Sequence, residues 1–404
     1  MTIIEKILGS SDIGSIVNKD VDLLMGHDGT AVLAIDNFNN ITIWDKSKLI
    51  IVFDHFCPPS SVERANIQNK LIAFVKEHGI EYKLYEGICH QLLIEDKRVV
   101  PGRIIVGADS HTVSSGALGC LATGVGSTDF LEVMKTGKCW FIVPDSYKVV
   151  FKGKMPPFIQ GKDLILEAIR QIKEDGAIYK SIEYYDETND GIKFDDRITI
   201  SNMSVEMGAK AGIFVPDEIT KTYVKSKGGD YDPVFADSDA RYSREILIDV
   251  GSLTPLIAVP NSLHIKQVKD VIGTPITQAY VGSCTSGRIE DFMIAAKLFS
   301  EHKVHEFVKT IVSPASNKVL LKAIEMDLLT PLINSGITVL NTGCGPCCNI
   351  DKGLVGDNEI CISSTNRNFL GRMGSFKSKV FLASTYTVCY SATKGKISDI
   401  RELY

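Results

Sequence analysis

The chain has 404 residues, 44% hydrophobic and 23% charged, and carries a formal net charge of −5 from 44 basic and 49 acidic side chains. That length exceeds a single hydrophobic core, the balance is that of an ordinary globular protein, and no apolar run is long enough to cross a bilayer. No block has a single sign, which argues against nucleic acid as the main partner, whereas a small anion needs only a few placed arginines.

Met1-Thr2-Ile3-Ile4-Glu5-Lys6 puts an acid and a base where a signal peptide needs its apolar run, so a cytoplasmic location is expected. Ten cysteines in that compartment do not form a disulfide framework, because thiols there are kept reduced. Most are expected to be small buried apolar residues. Cys344, Cys347 and Cys348 stand out by clustering.

Ser60 and Glu63 have the spacing of a capping box. Ile67, Leu71, Phe74 and Val75 follow at helical spacing, and Gly79 is placed to end the helix. A strand over Arg103-Ile-Ile-Val106 runs into Gly107-Ala-Asp-Ser-His-Thr112. Past Val143-Pro144 a fresh strand (Lys148 to Phe151) and a helix (about Asp163 to Glu174) suggest a second domain. Ala258-Val-Pro-Asn-Ser262 reads as a return linker, giving expected domains at 1–144, 145–262 and 263–404. Ala279-Tyr-Val281 then leads into Gly282-Ser-Cys-Thr-Ser-Gly287 and a helix from about Arg288 to His302. Ile337-Thr-Val-Leu340 leads into Asn341-Thr-Gly-Cys-Gly-Pro-Cys347. The class is α/β, and three times polar residues gather just past the carboxyl end of a strand, where open α/β sheets bind ligands.

Cys344-Gly-Pro-Cys347 by itself fits a redox dithiol, half a zinc site, an iron–sulfur ligand pair or coincidence. Cys284, 60 residues upstream in its own strand–loop–helix turn, favours the iron–sulfur reading. Small neighbours let backbone and sulfur approach an inorganic core. Three thiolates are one short of an electron-transfer [4Fe–4S] site, and an iron without a protein ligand is an open catalytic position. Cys348 is read as packing, since neighbouring side chains point apart.

Three histidines lie in polar contexts: Asp54-His55, Cys89-His90-Gln91 and Asp109-Ser-His111. A carboxylate beside an imidazole fixes its tautomer and raises its pKa, as a general acid near neutral pH requires. Asn202 and Glu206 are at i,i+4, one face if the segment is helical. Arg367 and Arg372 stand in a polar loop suited to gripping carboxylates. The glycines of Gly116-Ala-Leu-Gly119 and Gly124-Val-Gly126 follow no dinucleotide fingerprint and read as tight turns.

With these residues in hand the chain resembles the aconitase superfamily, within it the branch of isopropylmalate dehydratase and homoaconitase large subunits. The landmarks run from Asp22 to Gly374: His27-Asp-Gly-Thr30, Asp54-His55, Gly87-Ile-Cys-His-Gln91, Val106 to Thr112, Asn202 to Glu206, Gly282 to Arg288, Gly343 to Cys347, and Thr365-Asn-Arg-Asn-Phe-Leu-Gly-Arg372. The resemblance implies three α/β domains with mainly parallel sheets around a [4Fe–4S] cluster, held by Cys284, Cys344 and Cys347 with one iron free of protein. It implies catalytic roles for Asp54, His55, His90, Asp109, His111 and Glu206, the last pairing with an active-site histidine. Substrate contacts fall on His27, Ser110, Asn202, Asn366, Arg367 and Arg372, though His27 stands where aconitases carry a glutamine. The implied activity is that of a hydro-lyase isomerising 2-isopropylmalate to 3-isopropylmalate in leucine biosynthesis. Homoaconitase and other 2-hydroxy-di- or tricarboxylate hydro-lyases remain open, because a partner loop shapes the pocket for the substrate's γ-substituent. The resemblance further implies a separate small subunit carrying the swivelling domain and the serine base.

Overall fold

The computed structural model describes residues 1–36, 42–350 and 352–404. They divide into two units, one of 1–85, 89–152 and 175–248, the other of 86–88, 153–174 and 249–404.

The first unit is built on a five-stranded parallel sheet of β1 (Leu23–His27), β2 (Leu49–Phe53), β3 (Glu81–Leu84), β4 (Ile104–Gly107) and β5 (Leu121–Gly124), in the order β3-β2-β1-β4-β5. β1, β2 and β4 are buried along their whole length. That explains their continuous apolar runs, since helices cover both faces of such a sheet. Among these helices α1 (Val62–His78) ends on Gly79 in the left-handed conformation, as its position predicts. Its N-cap is Ser61, not Ser60: the Ser61 backbone is extended and its hydroxyl accepts from the Arg64 amide. The unit also carries α2 (Cys89–Glu95) and a second sheet of β6 (Ser146–Gly153), β7 (Ser181–Thr188), β8 (Ala211–Phe214) and β9 (Arg244–Asp249), ordered β8-β7-β6-β9.

In the second unit a seven-stranded sheet joins β10 (Leu256–Ala258), β11 (Ile265–Gln267), β12 (Gln278–Val281), β13 (Lys309–Val312), β14 (Thr338–Val339), β15 (Ile360–Ser363) and β16 (Lys379–Ala383). The order is β11-β10-β16-β15-β12-β13-β14, parallel from β16 to β14 and antiparallel at β10 and β11. α3 (Gly161–Ile172) matches the expected helix, α5 (Ile289–Glu301) follows β12, and α4 (Phe194–Asn202) belongs to the first unit.

Parallel strands put their carboxyl ends on one edge, and that is where both functional groups of residues emerge. In the first unit His27 ends β1, Asp54 and His55 follow β2, and Asp109 follows β4. In the second, Cys284 follows β12, Cys344 follows β14 and Asn366 follows β15.

Candidate active site

In the first unit the histidines and carboxylates form one connected network. Asp54 is fully buried and accepts from His55 Nδ1 at 2.8 Å and from the Cys89 amide at 2.6 Å. Burial pushes its pKa up, but the neighbouring His55 and His27 and the amide outweigh it and hold the carboxyl at about 2. The His55 ring stacks on that of His27, centroids 3.9 Å apart and planes 12° from parallel. His27 Nε2 lies 3.6 Å from Asp109, whose other oxygen is 2.8 Å from His90 Nε2. Asp109 also accepts from the His111 amide at 2.8 Å and lies 3.4 Å from His111 Nδ1. Despite burial, the His90 charge and the close approach of all three imidazoles keep Asp109 well below the usual carboxylate range.

His111 Nε2 meets Glu206 Oε1 at 3.0 Å, the pairing that the family resemblance implies. The two residues are not linked by a continuous helical face: Asn202 ends α4, and Glu206 lies in the 3₁₀ turn Met203–Met207 that follows. Asn202 donates to Ser114 Oγ at 2.8 Å, and Ser114 donates to the His111 carbonyl at 2.6 Å. Ser110 begins the 3₁₀ segment Ser110–Leu118 and, with Asp109, lines a cavity of about 440 Å³ that also includes Lys210.

His90 has no carboxylate beside it in the sequence and meets Asp109 only in the fold; burial pushes it below the ordinary imidazole value, outweighing the pull of Asp109. Its Nδ1 is buried without a hydrogen-bond partner among the described residues, so it is a neutral donor to Asp109.

Asp28 has no role in the sequence reading, yet it builds the turn that presents His55. Its Oδ1 accepts from the Asp54 and His55 amides, and its Oδ2 from the Phe56 amide and Gln68 Nε2. The only signal for it is its place beside His27. The glycines do serve close approach: a Cβ on Gly116 would lie 1.9 Å from the Gly212 carbonyl oxygen, and one on Gly124 would lie 2.5 Å from that of Asp109.

In the second unit the Asn366 side chain touches two of the three expected sulfurs. Its amide nitrogen is 3.3 Å from Cys284 Sγ and its oxygen 3.6 Å from Cys347 Sγ. Arg372 approaches Cys347 Sγ at 3.9 Å, and its Nε is buried with no hydrogen-bond partner among the described residues. Arg367 is half-buried, and its charge also favours the Cys347 thiolate. Burial nonetheless raises the Cys347 thiol, more than the Arg372 and Arg367 charges lower it.

The loops are fixed from beneath. Buried Arg288 donates to the carbonyls of Thr285 and Cys284 at 2.9 and 2.5 Å. Tyr280 donates to the Cys344 carbonyl at 3.1 Å. Gly345 has φ +56°, and a Cβ there would sit 2.6 Å from the Tyr280 hydroxyl, so the position takes glycine on two counts. Lys162 Nζ donates to the Thr365 carbonyl at 2.8 Å, just before Asn366. Cys284 and Cys344 lie in one buried cluster with Ile88 and Ala315, against which Cys348 packs. None of the ten cysteines is in a disulfide. The donor set of buried thiols, an amide and a guanidinium suits an anionic metal–thiolate centre, because metal binding deprotonates thiols and leaves negative sulfur to be stabilised.

The fold and these residues place the chain among α/β proteins with ligand loops at the carboxyl edges of parallel sheets. The sequence profile of the aconitase family (aconitate hydratase) matches residues 5–267 and 262–395, and the chain belongs to that family. It is 42% identical to the 3-isopropylmalate dehydratase large subunit 1 of Methanopyrus kandleri, over 99% of both chains. It is 41% identical to a probable methanogen homoaconitase large subunit of Methanosarcina mazei, over 95% of this chain and 99% of that one. The crystal structure of Thermococcus kodakaraensis aconitase X has the same fold at TM-score 0.53 and 10% identity, covering 93% of each chain. No helix among the described residues is long and apolar enough to cross a membrane.

Proposed function

We propose that this chain is the large, iron–sulfur subunit of a 3-isopropylmalate dehydratase and interconverts 2- and 3-isopropylmalate by dehydration and rehydration. The observation that carries the chemistry is Asn366 touching both Cys284 and Cys347, two sulfurs 63 residues apart in sequence. Cys284, Cys344 and Cys347 would hold a [4Fe–4S] cluster. When bound, a cluster with one iron not ligated by protein supplies a Lewis acid for the substrate's hydroxyl.

The remaining steps belong to side chains. Asp54, ionised throughout the neutral range, holds His55 through Nδ1, so His55 carries the proton for the departing hydroxyl on Nε2. Asp109 orients His90 and His111, and Glu206 fixes the far nitrogen of His111. Arg367 and Arg372 bind carboxylate by paired N–H donors. Ser110, Asn202, Asn366 and His27 complete the substrate contacts that the family pattern implies. A small subunit is supported by relatives named as large subunits, and in this reading a serine of that subunit removes the α-proton. Domains at 1–144, 145–262 and 263–404 and a cytoplasmic location belong to the same reading.

A second reading, a homoaconitase large subunit, is favoured by the Methanosarcina mazei relative at nearly equal identity. The test is anaerobic reconstitution with iron and sulfide, mixing with the small subunit, and assay on 2-isopropylmalate and on longer tricarboxylates. Turnover of 2-isopropylmalate is expected; preference for the tricarboxylate selects the second reading, and no dehydration of either overturns both.

A further inference from the structure

The cavity of the first unit that Ser110 lines also holds a lysine that the acid–base network leaves unused. Lys210 stands just before β8, its amide donating to the Lys180 carbonyl at 2.8 Å. The side chain is half-buried, and its ammonium has three N–H donors to place. Nζ lies 3.5 Å from the Gly124 carbonyl oxygen, the outer limit of a hydrogen bond, and 5.5 Å from the centroid of the Tyr179 ring. Among the described residues Lys210 forms no ion pair.

The acidic groups that act on the ammonium are Cys139 and Asp129. Burial pushes the Cys139 thiol up to about 11, so it is uncharged at neutral pH. The Asp129 carboxylate accepts from Trp140 Nε1 at 3.2 Å instead. Burial outweighs both and lowers the lysine below its usual value, as expected of a cation without a counter-ion. Asp109 also lines the cavity, and its charge would repel an anion. Its oxygens, however, meet His90 Nε2 at 2.8 Å, His111 Nδ1 at 3.4 Å and His27 Nε2 at 3.6 Å, so the charge is directed at three imidazoles.

The ammonium and Ser110 are neighbours across one glycine: a Cβ on Gly124, whose carbonyl faces Nζ, would lie 2.7 Å from Ser110 Cα. Val113, Val125 and Val205 supply apolar walls. An apolar cavity with one placed charge is the usual make-up of a small-ligand site. A single ammonium suits one carboxylate, whereas phosphate draws arginine forks or several amides.

We propose that this cavity binds a short-chain carboxylate, with Lys210 as its counter-ion and the three valines around its apolar body. Two sources carry that chemistry: one end of the hydro-lyase substrate, which rests on the function proposed above, or a separate molecule bound beside the Ser110 loop.

The site is tested without turnover, by ¹⁵N NMR of the full-length chain titrated with 3-methylbutanoate. Saturable shifts are expected at the amides of Gly124, Val125, Gly126 and Lys210. The uncharged 3-methylbutanamide should bind about tenfold more weakly, and Lys210→Met should weaken the acid by a similar factor. Lys210→Arg, which keeps the charge, should hold affinity within about threefold. Equal affinity for acid and amide, unchanged binding in Lys210→Met, or shifts confined to residues 365–372 would overturn the proposal. The source is read in the reconstituted enzyme with its small subunit. A KM for 2-isopropylmalate raised about fivefold in Lys210→Met, with kcat within about twofold, assigns the carboxylate to the substrate. An unchanged KM, with 3-methylbutanoate altering the rate of the native enzyme but not of Lys210→Met, assigns it to a second molecule. If neither hydroxy acid is dehydrated while the NMR result holds, the function fails and the carboxylate site survives.

Discussion

The histidine–carboxylate network of the first unit and the sulfur group of the second are organised in opposite ways. In the first, each proposed functional imidazole is already paired or stacked, and two carboxylates are held ionised by their neighbours. In the second, burial favours the protonated thiol at Cys347 while Arg372 stands beside it with an unsatisfied Nε. The imidazoles and carboxylates of this chain are thus paired by the polypeptide itself. In the reading proposed above, the sulfur group would be completed by a metal in the proton's place, a coupling expected of thiolate sites.

The sharpest way to break that contrast is Cys347→Ser. It should abolish both the cluster absorbance after reconstitution and turnover, while ¹⁵N NMR shows the His90 and His111 resonances of the first unit unchanged. Cys348→Ser, altering a residue that packs beside the group, should leave absorbance and turnover within about twofold. Equal losses in the two variants would show the ligand assignment to be wrong.

Next in size is Asp54→Asn. Removing a positioned acid–base partner should cost about 10²–10⁴ in kcat, with the cluster spectrum retained. The same variant has a pH signature. Because the folded pKa of Asp54 is depressed to about 2, its contribution to stability is present above the unfolded carboxylate value and is lost as pH falls towards 2. Acid unfolding followed by circular dichroism should therefore be shallower between about pH 4 and pH 2 in Asp54→Asn than in the native chain. An identical acid limb would mean that Asp54 is not held ionised by the fold.

Glu206→Gln should have a smaller effect, about tenfold in kcat. The amide can still accept from His111 Nε2, but it no longer stabilises the imidazolium. A loss as large as that of Asp54→Asn would make His111 rather than His55 the principal proton donor.

These pairs differ in how far they could be read from the sequence. Asp54 and His55 are adjacent, so their contact needed only a turn after β2. His111 and Glu206 are 95 residues apart, and no periodicity links them; only the ordered set of family motifs did. The gathering of Cys284, Cys344 and Asn366 was legible in outline, because each follows a strand and parallel strands end on a common edge. Asp28 was not, since its role lies in accepting amides of a turn 26 to 28 residues on. Nor was the depressed His90: the sequence displays Asp109 at a distance of 19 residues but not the burial that outweighs it.

The smallest effect sharpens the same boundary between local and tertiary information. Ser60 and Ser61 have equal capping chemistry, and the spacing to Glu63 favoured Ser60. The backbone chose Ser61, whose hydroxyl receives the Arg64 amide, while Ser60 accepts from the Arg64 guanidinium on the exposed surface. Ser61→Ala should cost about 1 kcal/mol and lower the thermal midpoint, whereas Ser60→Ala should change stability by less than about 0.5 kcal/mol. Neither should alter turnover, because α1 begins seven residues beyond His55 and the Asp28 carboxylate, not the helix cap, holds the turn that carries it. A reversed order of the two midpoints would return the cap to Ser60.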